Sequence, residues 1–529
     1  PAKPDATISD FIASKWSYMN NSLVARCMSL RWLPAIAGAM LLQNGLTSQA
    51  RADYTLQVQK NEVRGTWEGW GTSMAWWAHV VGGKKYQDVY ADLFFSEKTV
   101  PFAGSQLPGL GMNILRYNVG GGGRGDTVEG LTEKVPDILR WHRDIDGFWI
   151  NPANRDPNSP SWDWNRDAGQ RAFLKAAMAR GVNTVEFFSN APMWWMNDSQ
   201  SSAGGNLKND QIRNFAYYLA TVTKQAQDKW GVKVNSVQPF NEPTAGWWNY
   251  PKNQEGTNVP REQQKEVLAA LRDELNKQNL QAVHITASDE NSMSAALTTH
   301  EYFKTQTVNV GGQTRPVTDI IDRVNVHSYN NGTAHWRDNA AREKLRQSVG
   351  SKGLWASELG GNDATGMALA QTMMEDINFL RPSAWVYWQV LEPRGPWGLV
   401  NGTFAATPED PESGAPTRVF TQYYAMAQFT RFLRPGAQLL GSTDANSAVS
   451  YDAKKRQLNI ITVNYATPQR IEYDFSGLTR LGTSATLTQT NSDGSKLFET
   501  SKIALTGKKL ALDATAKTIY SLSIENVDL

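Results

Sequence analysis

The sequence predicts a (β/α)8 barrel with a smaller all-β domain after it, and three observations lead to this assignment. Short apolar runs alternate with amphipathic helical stretches from about residue 65 to residue 435. Eight such units over roughly 370 residues are typical of this barrel. After residue 436, polar and apolar residues alternate in short runs between Gly, Asn and Asp turns, as in a β-sandwich. The strand-like run 54–65 precedes the barrel and can join the sandwich.

The eight barrel strands are expected where the apolar runs lie. In chain order these runs are 67–76, 112–120, 183–190, 234–242, 283–290, 322–330, 354–360 and 384–390. Between them, segments such as 168–181 and 260–278 repeat apolar residues every three or four positions, which predicts amphipathic helices. A last helical segment, 421–436, ends the barrel. No low-complexity linker separates it from the β-rich part, so the two domains are expected to pack firmly.

The domain boundaries follow from these patterns. We assign 66–436 to the barrel, and 53–65 together with 437–529 to the sandwich. Residues 28–52 combine a positive start, a short apolar core and an Ala-Arg-Ala sequence, which predicts a secretory signal peptide. Residues 1–27 form an upstream segment with no interpretable pattern. Secretion or a periplasmic location is therefore expected, and no other stretch is apolar enough to span a membrane.

Composition excludes several classes of function. Residues 1–52 hold five of the 53 Lys and Arg and two of the 51 Asp and Glu, which leaves 48 against 49 in the rest of the chain. Such a balance does not indicate nucleic acid or an anionic membrane as partner. Cys27 is the only cysteine, so the mature chain is expected to lack disulfides, and the scattered His residues do not predict a zinc site. No metal or other cofactor is expected, and we expect a monomer.

Two glutamates stand where a barrel exposes its functional groups, at the carboxyl ends of strands. Glu242 follows the fourth strand in Asn241-Glu242-Pro243, and Glu358 ends the seventh. Hydrolysis of a glycosidic bond needs two such carboxyl groups, one protonated to assist the leaving oxygen and one ionised to attack the anomeric carbon. A single glutamate at a strand end would favour a salt bridge, but the pair favours catalysis.

Polar and aromatic residues at other strand ends complete a predicted sugar site. The expected substrate-binding residues are Asn241, Arg116, Asn118, His327, Tyr329, Trp388, Trp195, Trp247, Trp248, Trp70 and Glu290. Aromatic rings bind the C–H faces of sugars, and a few polar groups fix their orientation. For Glu290, a structural salt bridge is an equal alternative. The glycine-rich run 118–126 lacks the Lys-Ser/Thr of a phosphate-binding loop, so we interpret it as a rim loop.

Several segments resemble a known family of enzymes. The Asn-Glu-Pro after the fourth strand and the glutamate on the seventh resemble the 4/7 superfamily of retaining glycoside hydrolases, clan A. The segments "WEGWGTSMAWWA", "LRYNVGGGG", "SNAPMWWM" and "QPFNEP" resemble glycoside hydrolase family 30, and within it the endo-β-1,6-galactanase branch. This resemblance covers nearly the whole mature chain and implies the same barrel and sandwich.

The resemblance implies a role for each site residue. Glu242 would be the general acid/base and Glu358 the nucleophile, while Asn241 would bind the sugar 2-hydroxyl. Arg116 would keep Glu358 ionised and oriented. The resemblance also implies that His327 and Tyr329 border the carboxylates and that Trp388 forms the floor under the sugar ring.

The sequence thus predicts a secreted retaining endo-β-1,6-galactanase that cleaves the β-1,6-galactan side chains of arabinogalactan. One alternative is another specificity on the same scaffold: β-1,6-glucanase, xylanase or glucosylceramidase. A second alternative is a carbohydrate-binding protein that has lost catalysis, although both glutamates are intact. In either case the expected partner is a polysaccharide.

Overall fold

A computed structural model describes residues 52–329 and 338–529. The segment 1–27, its Cys27 and all but the last residue of the expected signal peptide lie outside the described residues. Eight parallel strands close into a barrel in chain order, which confirms the predicted fold class. They are β1 (Gly69–Ser73), β2 (Ile114–Asn118), β3 (Thr184–Phe188), β4 (Ser236–Gln238), β5 (His284–Glu290), β6 (Arg323–His327), β7 (Gly353–Leu359) and β8 (Ala384–Tyr387).

Helices cover the outside of this barrel. The α-helices are α1 (Trp77–Val81), α2 (Gln87–Phe95), α3 (Ala168–Met178), α4 (Ile212–Gln225), α5 (Arg261–Lys277), α6 (Met293–Lys304), α7 (Val317–Ile320), α8 (Asn339–Val349), α9 (Met367–Glu375) and α10 (Thr421–Phe432). Each of β1 to β8 is followed by at least one of them. In α5 the buried Val267, Leu268, Leu271 and Leu275 recur at helical spacing, so one face packs on the strands.

Short elements decorate the loops. Single-turn 3₁₀ helices are Trp141–Arg143, Trp194–Met196 and Asn209–Gln211, and π-helical turns extend α4 and α9 at Ala226–Trp230 and Asp376–Leu380. Small sheets pair Thr99–Phe102 with Ser105–Pro108, Thr127–Val128 with Leu131–Thr132, Ala203–Asn206 with Gly256–Asn258, Thr307–Val310 with Gln313–Pro316, and Val400–Gly402 with Leu391–Glu392 and Pro416–Val419. No helix in the described ranges is both long and apolar enough to cross a membrane.

A layer of charged side chains fills part of the barrel interior. Glu186 of β3 accepts a hydrogen bond from Arg116 Nε of β2 at 3.0 Å and another from Arg323 of β6. Asn325 Nδ2 donates to the same carboxylate at 2.9 Å. Glu186 is thus a buried carboxylate that is paired with two cations. Since Arg116 is held from below, its position under the barrel mouth is fixed.

The sandwich domain follows α10. Its strands are Tyr54–Thr66, Gln438–Ser442, Ser447–Asp452, Gln457–Asn464, Gln469–Asp474, Ser484–Asn491, Glu499–Ala504, Lys509–Ala514 and Thr518–Ile524. The amino-terminal strand pairs in parallel with Gln469–Asp474 through its first residues and antiparallel with Gln438–Ser442 through its later ones. It therefore joins the sandwich, as the sequence predicted, and it also links the two sheets of that domain.

The larger sheet is buried on both faces. In Gln457–Asn464, Leu458 and Ile460 enter the core between the two sheets, whereas Ile461 and Val463 enter the core shared with the barrel. Because side chains alternate along a strand, one strand serves both cores. Helix α10 packs against this sheet as well. The expected firm packing of the two domains is confirmed.

Candidate active site

Glu242 and Glu358, here called the carboxylate pair, meet at the carboxyl end of the barrel. Glu242 lies four residues beyond β4 with a left-handed backbone, φ 48°, and its N–H donates to the carbonyl of Asp289 at 2.9 Å. Glu358 lies within β7. One oxygen of each carboxylate and a nitrogen of His327 all lie within 4.8 Å of one another. This spacing is shorter than the roughly 6.5–9.5 Å of inverting glycosidases.

His327 joins the two carboxylates. Its Nδ1 lies 3.1 Å from Glu242 Oε1 and 3.3 Å from Glu358 Oε1, and its Nε2 lies 3.2 Å from Asp289 Oδ2. Burial opposes a charged imidazole, but the surrounding Glu358 and Asp289 carboxylates prevail and raise the pKa of His327 to about 10. His327 is therefore a buried cation between the glutamates.

Arg116 supplies a second cation beneath the pair. Its Nη1 lies 3.6 Å from Glu358 Oε2 and donates to the carbonyl of Ser357 at 3.1 Å, while Nη2 donates to Asp289. Burial acts to raise the pKa of Asp289, but Arg116 and His327 outweigh it and hold that pKa well below its usual range. Asp289 is thus a fixed anion that orients both cations, a role that the sequence did not predict.

The resemblance implied that Arg116 keeps Glu358 ionised. In the structure, the effects that raise the pKa of Glu358 exceed those that lower it. Burial raises the pKa of Glu358 to about 8, and repulsion from Glu242 adds to this. His327 and Arg116 act in the opposite direction without overcoming it. The carboxylate pair therefore retains a proton near neutral pH, which is the state required of an acid and a nucleophile working together.

A cavity of about 380 Å³ opens onto these groups. It is lined by Asn241, Glu242, Trp247, Gln254, Asn291, Tyr329, Glu358, Trp388 and Trp397. Asn291 Nδ2 donates to Glu242 Oε1 at 2.7 Å, and the Tyr329 hydroxyl accepts from the N–H of Gly360 at 2.9 Å. Within the described part of the chain, Asn241 Oδ1 and Glu358 Oε2 are buried and accept no hydrogen bond. Neither oxygen is engaged in a hydrogen bond within the described protein, which is unusual for a buried acceptor.

Three of these groups could instead suggest a metal centre, because Glu242, His327 and Glu358 offer closely spaced ligand atoms. A histidine must be neutral to bind a metal. The pKa of His327, at about 10, keeps it protonated through neutral pH. A metal ion would therefore have to displace this proton before it could bind His327.

The sequence of this chain matches the model of a known protein family. The model of O-glycosyl hydrolase family 30 matches residues 53–394. The chain belongs to glycoside hydrolase family 30. It is therefore a glycoside hydrolase, and its substrate is a carbohydrate.

Two curated relatives and one solved structure support this membership. The chain is 38% identical over 451 residues to an endo-β-1,6-galactanase of Hypocrea rufa, which covers 84% of this chain and 87% of that protein. It is 24% identical over 463 residues to an exo-β-1,6-galactobiohydrolase of Bifidobacterium longum, covering 69% of this chain and 29% of that longer protein. A conserved exported protein from Bacteroides fragilis has the same fold, with a TM-score of 0.70 at 18% identity, and the match covers 89% of this chain and all of that one.

The structure brings most of the predicted site together. Asn241, Tyr329, Trp388 and Trp247 line the cavity with the carboxylate pair, and His327 and Arg116 lie directly beneath it. Trp388 is also braced from outside the cavity by Trp76, whose ring meets it edge-on with centroids 5.0 Å apart.

Three predicted tryptophan contacts are wrong, because these rings are buried in the protein. Trp70 is fully buried, and its Nε1 donates to the carbonyl of Leu433 at 2.7 Å. Trp195 packs edge-on against Trp149 and donates to that residue's carbonyl. Trp248 is 1% exposed and donates to the carbonyl of Glu242 at 3.0 Å, so it supports the site from behind.

Two predicted polar contacts also lie beneath the pocket surface. Asn118 Nδ2 donates to Glu255 at 2.7 Å. Glu290 accepts hydrogen bonds from Thr244 and Thr299, both at 2.6 Å, and thus ties the loop after β4 to α6. Both side chains are buried and satisfied by hydrogen bonds, so their direct contact with substrate was predicted wrongly.

Three cavity residues were missed by the sequence analysis: Gln254, Asn291 and Trp397. Gln254 lies in the segment Gln254-Glu255-Gly256, shortly after Glu242, and Asn291 lies in the polar run 288–292 at the end of the fifth strand, so both had a sequence signal. Trp397 comes nine residues after Trp388 in a Gly- and Pro-rich stretch, where nothing in the sequence indicates which way the loop turns.

Proposed function

We propose that this protein is a retaining endo-β-1,6-galactanase that cleaves β-1,6-galactan side chains of arabinogalactan. The observation that carries the reaction type is the short separation of the carboxylate pair within an open pocket. Its similarity to the Hypocrea rufa enzyme over most of both chains supports the substrate. Since specificity resides in loops, the substrate is the part that needs the direct test.

In the first step Glu358 attacks the anomeric carbon while Glu242 donates its proton to the leaving glycosidic oxygen. The carbon–oxygen bond to the leaving sugar breaks, and a covalent glycosyl ester with Glu358 forms. Glu358 Oε2 accepts no hydrogen bond within the described chain, and Arg116 Nη1 lies 3.6 Å from it. His327 and Arg116 stabilise the carboxylate that attacks and later departs.

In the second step a water molecule hydrolyses the ester. Glu242, now ionised, removes a proton from this water, which attacks the anomeric carbon from the face that the leaving sugar vacated. Two inversions give net retention. Asn241 Oδ1, which lacks a partner within the described residues, would accept a hydrogen bond from the sugar 2-hydroxyl, and such bonds strengthen in the transition state.

The test is hydrolysis of three polymers by the same preparation: de-arabinosylated β-1,6-galactan, the β-1,6-glucan pustulan, and glucuronoxylan. We expect β-1,6-galacto-oligomers from the first alone, with the β-anomer appearing first in time-resolved NMR. Activity should persist after EDTA treatment. Release of products only from pustulan or xylan would overturn the substrate, and an α-anomer as first product would overturn the mechanism.

The cellular setting and domain limits are part of the same proposal. The pattern in 28–52 supports cleavage near residue 52 and export to the medium or the periplasm. We assign the mature chain as a monomer with the sandwich formed by 53–65 and 437–529 and the barrel by 66–436. Amino-terminal sequencing of the secreted protein and its mass in solution test these assignments.

A further inference from the structure

Two half-exposed tryptophans line the catalytic cavity, one on the loop that carries Glu242 and the other on the loop after β8. Trp247 is 41% exposed and follows Glu242 by five residues, after β4. Trp397 is 43% exposed and lies in the loop after β8, next to the strand that carries Glu358. Every other tryptophan in the described ranges is less exposed than these two.

The backbone around Trp397 is fixed by buried side chains. Gln422 of α10 is 1% exposed, and its Nε2 donates to the carbonyls of Pro396 and Gly398, on either side of Trp397. The Tyr387 hydroxyl donates to the carbonyl of Trp397 itself at 2.8 Å. An exposed ring on so constrained a backbone loses little freedom when a ligand stacks on it.

Gly360 sets the distance between Trp397 and the nucleophile strand. A Cβ on Gly360 would lie 3.1 Å from the Trp397 ring and 3.2 Å from Trp388, closer than most such contacts. Gly360 comes two residues after Glu358. The absence of a side chain there lets the Trp397 ring approach the attacking group.

Trp247 is supported differently, from the side of Glu242. Its ring meets that of the buried Trp248, with centroids 6.3 Å apart. Trp248 is held by the Glu242 carbonyl, and its own carbonyl accepts from the N–H of Gly205 at 2.9 Å and from Asn258 Nδ2 at 3.1 Å. The ring of Trp247 is thus positioned with the acid/base and not with the nucleophile.

We propose that Trp397 stacks on the sugar retained by the enzyme and that Trp247 stacks on the leaving sugar. The proposal rests on the proposed function, since it requires Glu358 as nucleophile and Glu242 as acid. The acid must lie on the side of the departing oxygen, and the nucleophile beneath the sugar it captures. Each tryptophan therefore contacts the sugar on its own glutamate's side.

The experiment compares two substrates that differ only in the leaving group. β-1,6-Galactotetraose has leaving sugars, whereas β-1,6-galactobiosyl fluoride loses only fluoride and fills no leaving-sugar site. For W397A we expect kcat/KM to fall about 10-fold or more on both substrates. For W247A the loss on the tetraose should exceed the loss on the fluoride by about 10-fold, and transfer of galactose units to added galactobiose should fall in parallel.

Tyr250 provides the matched control. It is 39% exposed on the same loop as Trp247 but does not line the cavity, so Y250A should match wild type on both substrates. W397F and W247F, which keep a ring, should recover most of the loss. The backbone of Trp397, and not its ring, carries the hydrogen bonds, so W397A should keep the wild-type Tm. If W397A does not fold, W397L, which has no aromatic ring, replaces it.

Three results would overturn the proposal. W247A could lose kcat/KM equally on the two substrates, W397A could lose it on the tetraose alone, or neither variant could lose any. Failure of the proposed function would give a result that can be told apart from these. In that case the wild-type enzyme leaves galactan intact, and the comparison is made with the oligomer and the glycosyl fluoride of whichever glycan it cleaves.

Discussion

Two groups of buried carboxylates lie near the barrel mouth, and they differ in what surrounds them. The carboxylate pair faces an open cavity, with the cations His327 and Arg116 beneath it. The second group, here called the rim cluster, comprises Glu133, Asp144 and Glu255, all at most 4% exposed, beside the glycine-rich loop. In both groups burial raises carboxyl pKa values, to about 8 for Glu358, Glu133 and Glu255.

The rim cluster is bonded mainly to the protein's own backbone and side chains. Glu133 accepts the N–H groups of Gly123 and Gly125 at 2.9 and 2.8 Å. Glu255 accepts the N–H of Ile145 at 3.1 Å and the indole N–H of Trp76. The glycine-rich loop, whose pattern invited a phosphate-binding interpretation, thus folds around a carboxylate of its own chain.

A perturbed pKa alone therefore does not mark a catalytic group. Burial perturbs both groups alike. What distinguishes the carboxylate pair is access to a cavity and the two cations placed to stabilise changing charge. If this distinction holds, substitutions in the pair affect rate, and substitutions in the rim cluster affect stability.

The largest expected effect is that of E358Q. Glutamine keeps the shape but cannot form the glycosyl ester, so kcat should fall about 10⁴-fold or more. Glutamine resembles the protonated acid that the raised pKa of Glu358 favours, so the Tm should stay close to that of the wild type, and galactan binding should persist. Full activity in E358Q would show that the nucleophile lies elsewhere.

The loss of rate in E242Q should be smaller than that in E358Q, and its size should depend on the substrate. General acid catalysis contributes about 10²–10⁴-fold, and this is lost on galactan, whose leaving group needs a proton. A dinitrophenyl glycoside needs no proton to leave, so its first step should remain fast. Added azide should then restore turnover and yield a β-glycosyl azide, because the anion attacks the ester without a base. An α-azide, or no azide product, would contradict the assignment of Glu242.

The pH dependence of kcat/KM should separate the same roles. The pair needs one proton, and the raised pKa of Glu358 places loss of that proton at about pH 8, so activity should fall as pH rises through this value. His327 lowers the pKa of Glu358, so H327Q should move this limb to higher pH while reducing the rate. H300Q, on α6 and away from the cavity, should leave the limb in place. If the alkaline fall in kcat/KM stays at about pH 8 in H327Q, His327 does not set the pKa of Glu358.

Much of this arrangement was predictable from sequence, for identifiable reasons. Parallel strands present their carboxyl ends at one face, so Glu242 and Glu358 could be placed together from strand order alone. The burial of Trp70 could not be predicted in the same way, because its partner, the carbonyl of Leu433, lies 363 residues away. Trp397 was missed for a related reason, since a glutamine on α10 directs its loop towards the cavity.

The smallest expected effect concerns the rim cluster and is seen in E133Q. The folded-state pKa of Glu133 is raised to about 8, so its contribution to stability is present at low pH and is lost as pH rises from about 4.5 through 8. Glutamine resembles the protonated acid and can still accept from Gly123 and Gly125. The fall in Tm between pH 5 and 8 should therefore be about 2 °C smaller in E133Q than in wild type.

E129Q, an exposed change in the same loop, provides the control. It should show the same dependence of Tm on pH as the wild type, and kcat on galactan should change by less than about 2-fold in either variant. A fall in rate as large as that of E242Q would show that the rim cluster takes part in catalysis, and the distinction drawn from access to the cavity would fail.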